Sequence, residues 1–246
     1  MGWSCANLVN VSSGNSFQRG TAFMAFIAPS LTAADFARVG EGLRLFKDIG
    51  ASMLHVDVMD GHFVPDITVG QPVVRSLRKA TGLVLDLHLL IERPERYIAE
   101  FIETGADRIA IHAEATPNLH KALGMIRNGG AKVGLALNPS TALEAASEVL
   151  GDIDFLLILS ADLGFANPPF LPAAIPKVKA ACDLRRERRL DFAIQVEGSI
   201  GEEQIEVLGQ AGADILVASS DILQNAPTHL VRMMELAATS RQISRV

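Results

Sequence analysis

The dipeptide Gly-Ala recurs at 50–51, 105–106, 130–131 and 212–213. Each time it closes a helical pattern and opens an apolar run: SMLHVDVM, DRIAIH, KVGLAL and DILVAS. A glycine just past a helix C-terminus takes the left-handed conformation that a side chain resists. An apolar run directly after it reads as a strand buried on both faces, as in a parallel sheet. This repeated helix–glycine–strand junction constrains the fold more than any other feature of the chain.

The spacing of the junctions extends the argument. From Ala106 to Ala131 is 25 residues, from Ala51 to Ala106 is 55, about two such units, and from Ala131 to Ala213 is 82, about three. Further strands are therefore expected inside the longer gaps. LVLDLHL (83–89), DFLLILS (154–160) and DFAIQVE (191–197) stand there, and MAFIAPS (24–30) lies one unit before Ala51. Helices are expected to start at Thr32-Ala33-Ala34-Asp35 and at Pro94-Glu95, with a last one through HLVRMMELAA. Eight βα units in about 220 residues predict an α/β chain forming a single (β/α)8 TIM barrel over residues 24–246. The rival is an open doubly wound sheet, but no G-x-G-x-x-G follows the first strand.

Residues 1–23 are different: polar, aperiodic, and rich in Ser, Asn and Gly. They are expected to form a disordered arm, with Met24 as an alternative natural start. Met1-Gly2 hints at myristoylation, but position 6 is Ala6 where that motif wants Ser or Thr. A net charge of -6 and the lack of a basic run argue against nucleic acid as a partner. No apolar stretch reaches the roughly 20 residues a membrane span needs. Cys5 and Cys182 form no disulfide or metal pattern, which suits a cytoplasmic location.

The stretch HVDVMDGHF (55–63) places two histidines and two aspartates in an otherwise greasy segment. Unpaired burial of such groups costs several kcal/mol, so something must satisfy them. In a (β/α)8 barrel the active site lies at the C-terminal ends of the strands. His55 and Asp57, two apart on strand two, point to one side. His88 lies near the end of strand three, Glu197 ends strand seven and Ser30 ends strand one. The two histidines and two carboxylates are expected to converge on one divalent metal ion, with a mixed N/O set suiting Zn, Fe(II), Mn or Co. The bland alternative is a hydrogen-bonded cluster bracing the barrel mouth. Asp60-Gly61 is a turn signal, so Asp60 is expected to shape its loop. His112, closing strand four in IHAEA, reads as a partner of the site or, more commonly for such a residue, as a satisfied core histidine. The late loops form a second theme. Ser160, Gly198-Ser199 and Ser219-Ser220 are small residues where this fold often binds phosphate.

Taken together, IAPSL (27–31), HVDVMDGHFVPDITVG (55–70), DLHLLIERPERYI (86–98), ALNPST (136–141), Gly164-Phe165 and VEGSI (196–200) resemble the ribulose-phosphate 3-epimerase family over roughly residues 25–238. The resemblance implies a cytoplasmic homo-oligomer that inverts C3 of a ketose phosphate with one metal ion and no organic cofactor. It implies that His55, Asp57, His88 and Glu197 hold the metal, and that Asp57 and Glu197 act as the acid/base pair. Substrate contacts are expected from Ser30, His88, Gly164, Phe165, Ala166, Gly198, Ser199, Ser219 and Ser220. The preferred substrate is D-ribulose 5-phosphate, giving D-xylulose 5-phosphate. Alternatives are another ketose phosphate such as allulose 6-phosphate, or a degenerate paralogue that binds without turnover. Barrels with decarboxylase or lyase chemistry usually place Lys on the strands, and none ends strands two, three or seven.

The chain departs from the family's usual pattern at four places. Glu197 stands for an Asp, and Ser199 for a second glycine. Asp162-Leu163-Gly164-Phe165-Ala166-Asn167-Pro168 replaces a loop of Asn-Pro-Gly-Phe type, and Ser219-Ser220 replaces Gly-Ser. Three phosphate-side loops thus differ while the strand-two and strand-three motif is intact.

Overall fold

A computed structural model describes residues 25–165, 168–218 and 227–239. The arm expected over residues 1–23, and the expected contacts Ala166, Ser219 and Ser220, lie outside the described residues.

Strands and helices alternate: β1 (Phe26–Pro29), α1 (Val39–Asp48), β2 (Met53–Met59), α2 (Gln71–Ala80), β3 (Val84–Leu90), α3 (Ile98–Glu103), β4 (Arg108–His112), α4 (Leu119–Asn128), β5 (Lys132–Leu137), β6 (Phe155–Leu159), α5 (Ala174–Glu187), β7 (Ala193–Glu197), α6 (Glu202–Ala211), β8 (Ile215–Ala218) and α7 (Pro227–Thr239). The glycines of the four junctions, Gly50, Gly105, Gly130 and Gly212, have φ of 85°, 96°, 87° and 110°. Each ends its helix in the left-handed turn the sequence predicts.

Eight parallel strands form one sheet, ordered β1-β8-β7-β6-β5-β4-β3-β2. An isolated parallel bridge, Ser30 to His55, draws β1 against β2 and makes the sheet a nearly closed (β/α)8 barrel. The expected single barrel is therefore what the chain forms.

Two helix starts differ from expectation. Thr32 lies in a short 3-10 turn, Leu31–Ala33, Asp35 precedes a second, Phe36–Arg38, and α1 begins only at Val39. Ser30 caps the first turn and Asp35 the second, and each cap serves a single turn. Pro94 and Glu95 likewise open a 3-10 turn that precedes α3. Between β5 and β6 there are only 3-10 turns, Leu143–Ala146 and Leu150–Asp152.

Strand alternation divides the core into two regions. Leu54, Val56, Val58, Leu85, Leu87 and Leu89 face outward into the main apolar layer, beneath helices that present residues such as Phe46, Val74, Leu77 and Phe101. Inside the barrel, apolar side chains gather in two clusters, Ala110, Ala136, Phe155, Leu157 and Leu159 on β4, β5 and β6, and Ala28, Met53, Ile215 and Val217 on β1, β2 and β8. Residues of β2, β3, β4 and β7, with Ser30 after β1, supply polar side chains to the interior. Ser30, His55, Asp57, Asp86, His88, His112, Gln195 and Glu197 are all buried there.

Candidate active site

Register brings the polar residues together. Asp57 pairs with His88 and His55 with Asp86 across β2 and β3. Glu197 reaches the same level from β7. His55 Nε2 lies 3.2 Å from Asp57 Oδ1 and 3.1 Å from Glu197 Oε2. His88 Nδ1 lies 3.2 Å from Asp57 Oδ1 and 2.9 Å from Glu197 Oε2. The four residues the sequence put forward as ligands thus form one buried ring whose donor atoms all lie within 4.8 Å of one another.

This donor set fits a divalent cation. His55 Nδ1 donates to Asp86 Oδ2 at 2.8 Å, which leaves the Nε2 lone pair of a neutral ring aimed at two carboxylate oxygens. Lone pairs facing lone pairs in a buried site need protons or a cation between them. Edges of this length are close to the spacing of neighbouring donors around a single divalent ion. Burial pushes both imidazoles down, but Glu197 and Asp57 outweigh it and raise His55 well above, and His88 above, the usual histidine value. Burial likewise pushes Asp57 up, yet His55 and His88 hold it well below the usual carboxylate range.

Around the ring stands a layer of supporting residues that the sequence reading passed over. Asp86 Oδ1 accepts from Arg108 Nε at 2.9 Å, and its Oδ2 accepts from Gln195 Nε2 at 2.7 Å as well as from His55. Arg108 Nη2 donates to Gln195 Oε1 at 2.7 Å, and its guanidinium lies 3.9 Å over the Phe155 ring. Burial pushes the Asp86 carboxyl up, but the Arg108 charge and the His55 bond overcome this and hold it far below the ordinary range. A carboxylate on the far nitrogen of a liganding histidine fixes its tautomer and raises its basicity. Strand period carries the signal that would have found this layer: Asp86 and Gln195 each sit two residues before a ring member, on the same inward face.

His112, read from the sequence as a partner of the site or a satisfied core histidine, is buried and bonded at both ring nitrogens, and one of its partners belongs to the ring. Its Nε2 is 2.8 Å from His88 Nε2, and its Nδ1 is 3.1 Å from Glu114 Oε2. Burial brings its imidazole down to about 4, so it is neutral near pH 7. Asp60 shapes its loop as expected. Its Oδ1 accepts from the His62 and Phe63 amides at 2.8 and 2.9 Å, and its Oδ2 accepts from the Glu92 amide at 2.9 Å.

The other described residues among those predicted lie at the same end of the barrel. Ser30 Oγ donates to Asp57 Oδ2 at 3.1 Å. Met59 and Leu90, at the ends of β2 and β3, form an apolar patch with Val64, Phe63 and Leu163 of the loops after β2 and β6. Gly164, with φ of 83°, packs so closely on the β2 loop that a Cβ would stand 2.8 Å from Val64 Cβ. The neighbouring Phe165 is 63% exposed. At the end of β7, a Cβ on Gly198 would stand 2.6 Å from the Ala161 amide nitrogen. Ser199 holds a left-handed φ of 49°, and its hydroxyl donates to the Pro168 carbonyl. Ser160 Oγ donates to the Glu197 and Gly198 carbonyls at 2.9 and 2.7 Å, tying β6 to this turn.

Fold and ring together define the class: a (β/α)8-barrel enzyme with a candidate divalent-metal centre at the C-terminal ends of its strands. Comparison with known proteins narrows this. The profile of the ribulose-phosphate 3 epimerase family matches residues 26–223. Ribulose-phosphate 3-epimerase of Bacillus subtilis (strain 168) is 40% identical over 197 residues, 80% of this chain and 91% of that protein. The enzyme of that name from Synechocystis sp. is 42% identical over 205 residues, 82% of this chain and 89% of that one. The one from Aquifex aeolicus is 37% identical over 221 residues, 88% of this chain and all of that one. Among solved structures, KGPDC from Streptococcus mutans superposes with a TM-score of 0.63 at 13% identity, covering 88% of this chain and 98% of that one. The tryptophan synthase A-subunit of Pyrococcus furiosus gives 0.60 at 14%, covering 91% and 98%, and both likenesses speak to the fold alone. The chain belongs to the ribulose-phosphate 3-epimerase family.

Proposed function

We propose that the protein is an isomerase that inverts C3 of a ketose phosphate, interconverting D-ribulose 5-phosphate and D-xylulose 5-phosphate. One observation carries the reading: two carboxylates, Asp57 from β2 and Glu197 from β7, converge with two histidines in a buried ring. A proton next to a ketone is removed by one group and a proton is returned to the opposite face by another, so the reaction needs two acid/base groups and no net redox change. Asp57 and Glu197 take those roles, and Asp57 is oriented by the hydroxyl of Ser30.

His55, Asp57, His88 and Glu197 would hold one divalent ion, of the Zn, Fe(II), Mn or Co type. When bound, such an ion supplies Lewis-acid stabilisation of the negative charge that develops on substrate oxygen. Asp86 and Gln195 hold His55 in place from below, and the apolar patch of Met59, Val64 and Leu90 keeps water from the reacting carbon. Gly164, Phe165, Gly198 and Ser199, with Ala166, Ser219 and Ser220, would receive the phosphorylated end of the substrate. Residues 24–246 form the catalytic domain in this reading, with 1–23 as an arm outside it, and the active species is a cytoplasmic homo-oligomer without nucleic-acid or membrane partners. No helix among the described residues is long and apolar enough to cross a membrane.

A second reading rests on the β7 turn, where Ser199 occupies a left-handed position and Glu197 carries an extra methylene. Under it the same chemistry serves a different ketose phosphate. The test is solvent-deuterium incorporation at C3 by the full-length, metal-reconstituted protein. Ribulose 5-phosphate and xylulose 5-phosphate are offered beside allulose 6-phosphate and a tetrulose phosphate. Exchange with the pentuloses is the expected result, and exchange with another ketose phosphate alone would move the substrate assignment to that compound. No exchange with any of them would overturn the enzymatic reading. Glu197→Gln is expected to slow exchange by about 10²–10⁴-fold.

A further inference from the structure

His55 and His88 offer opposite ring nitrogens to the ring, Nε2 from one and Nδ1 from the other. For His55 the reason is Asp86, which accepts from its Nδ1. His88 has no carboxylate behind it; its far nitrogen, Nε2, meets His112 Nε2 at 2.8 Å. We infer that His112, held by Glu114, is a positioning residue that fixes the tautomer in which His88 presents its Nδ1 lone pair.

Proton counting leads there. Two imidazole nitrogens at hydrogen-bond distance share one proton, so one ring donates and the other accepts. If His88 Nδ1 binds a metal, the remaining proton of His88 is on Nε2, and His112 Nε2 must accept it. The proton of His112 is then on Nδ1, where Glu114 Oε2 stands 3.1 Å away to accept it. Every atom in the chain has one compatible role. The reverse order would place the His112 proton on Nε2 and leave its bare Nδ1 facing a carboxylate.

The far end is fastened too. Glu114 Oε1 accepts from the Asn138 amide at 2.9 Å and from the Thr141 hydroxyl, so the carboxylate cannot swing away without opening the loop after β5. Lys177 Nζ, from α5, donates to the Asn138, Pro139 and Thr141 carbonyls at 3.2, 2.8 and 2.6 Å and holds that loop in turn. Phe63 packs against the His112 ring, with centroids 4.7 Å apart and the planes tilted by 48°. The 5.0 Å between the His112 and His88 ring centroids is the separation of rings joined edge to edge through their Nε2 atoms. Hydrogen-bond partners behind liganding histidines typically contribute 10–100-fold in metal affinity.

The inference rests on the metal reading proposed above, and one titration separates the two. Full-length wild-type, His112→Phe and His112→Gln proteins are titrated with Co(II), followed by visible absorption, and the imidazole 15N shifts of His88 are recorded in the Zn(II) forms. Phenylalanine fills the same space but accepts nothing, whereas glutamine can set a carbonyl oxygen where Nε2 stood. His112→Phe is expected to bind Co(II) about 10–100-fold more weakly, with His88 shifts that no longer report a single tautomer. His112→Gln is expected to recover most of the affinity. Wild-type affinity in His112→Phe, or equal losses in both variants, would overturn the assignment. If His112→Phe does not fold, Glu114→Ala serves, with several-fold weaker Co(II) binding expected and unchanged binding overturning the assignment. Failure of the wild-type protein to bind Co(II) would instead overturn the metal reading and this inference with it.

Discussion

Ser199 shows how much can turn on one residue. It holds a φ of 49° in the left-handed region, where a side chain costs roughly 1–2 kcal/mol relative to glycine. What it gains is a hydroxyl bond to Pro168, linking the β7 turn to the β6 loop. A neutral hydrogen bond contributes about 1 kcal/mol, so strain and bond nearly cancel. Ser199→Gly should therefore leave the melting temperature within a few degrees of wild type, whereas Ser199→Ala keeps the strain and loses the bond. Ser199→Ala should be less stable than Ser199→Gly by about 1–2 kcal/mol in urea unfolding. At this scale the sequence was partly legible. His55, Asp57, His88 and Glu197 were exposed as candidates because ionisable residues interrupt apolar strands, and the fold brings all four together. Asp86, Gln195 and Arg108 escaped notice because attention to strand ends overlooks what lies one step deeper on the same face. The role of His112 was not legible, because it depends on a neighbour 24 residues away.

Among elements, the small residues of β4 and β5 explain how the barrel interior fills. Ala110, Gly134 and Ala136 make room for Phe155 of β6, over which Arg108 lies. A Cβ on Gly134 would stand 2.2 Å from Phe155 Cζ, and the stacked guanidinium leaves that ring little freedom to turn. Gly134→Ala should destabilise the protein by about 1–3 kcal/mol through overpacking. It should also loosen the Arg108–Asp86 contact, which a thermal melt with and without added metal would reveal as a smaller metal-induced gain. Gly50→Ala makes a useful contrast, since its Cβ would meet nothing within 4 Å and only the left-handed φ of 85° is strained. The β-strand plan was readable from the Gly-Ala junctions because helix termination and strand burial are both local signals. The helix starts after β1 and β3 were not, because a capping residue marks the beginning of a turn and does not state whether the turn continues.

For the molecule as a whole, charge and ligand linkage govern stability. Burial pushes the Glu114 carboxyl up, but bonds from His112, Thr141 and the Asn138 amide overcome it and bring it to about 2, against an ordinary 4.5. The unfolded chain therefore binds more protons than the folded one between these values. The stabilisation is complete above about pH 4.5 and is lost as pH falls toward 2. Between pH 5 and 3 the melting temperature of the wild-type chain should fall more steeply, by a few degrees, than that of Glu114→Gln. Metal works through the same linkage: an ion at 100 times its dissociation constant adds about 2.7 kcal/mol, so chelation should lower the melting temperature at every pH where the ring is deprotonated. The barrel has one weak meridian. Seven neighbouring strand pairs are joined by continuous ladders, while β1 meets β2 through a single bridge between Ser30 and His55. The two residues that hold this meridian, Ser30 and His55, are also the ones proposed to touch substrate and metal. A ligand held through the side chains of Ser30 and His55 would therefore fasten the same two residues whose backbones join β1 to β2. Amide exchange in β1 should accordingly be the barrel measurement most sensitive to ligand.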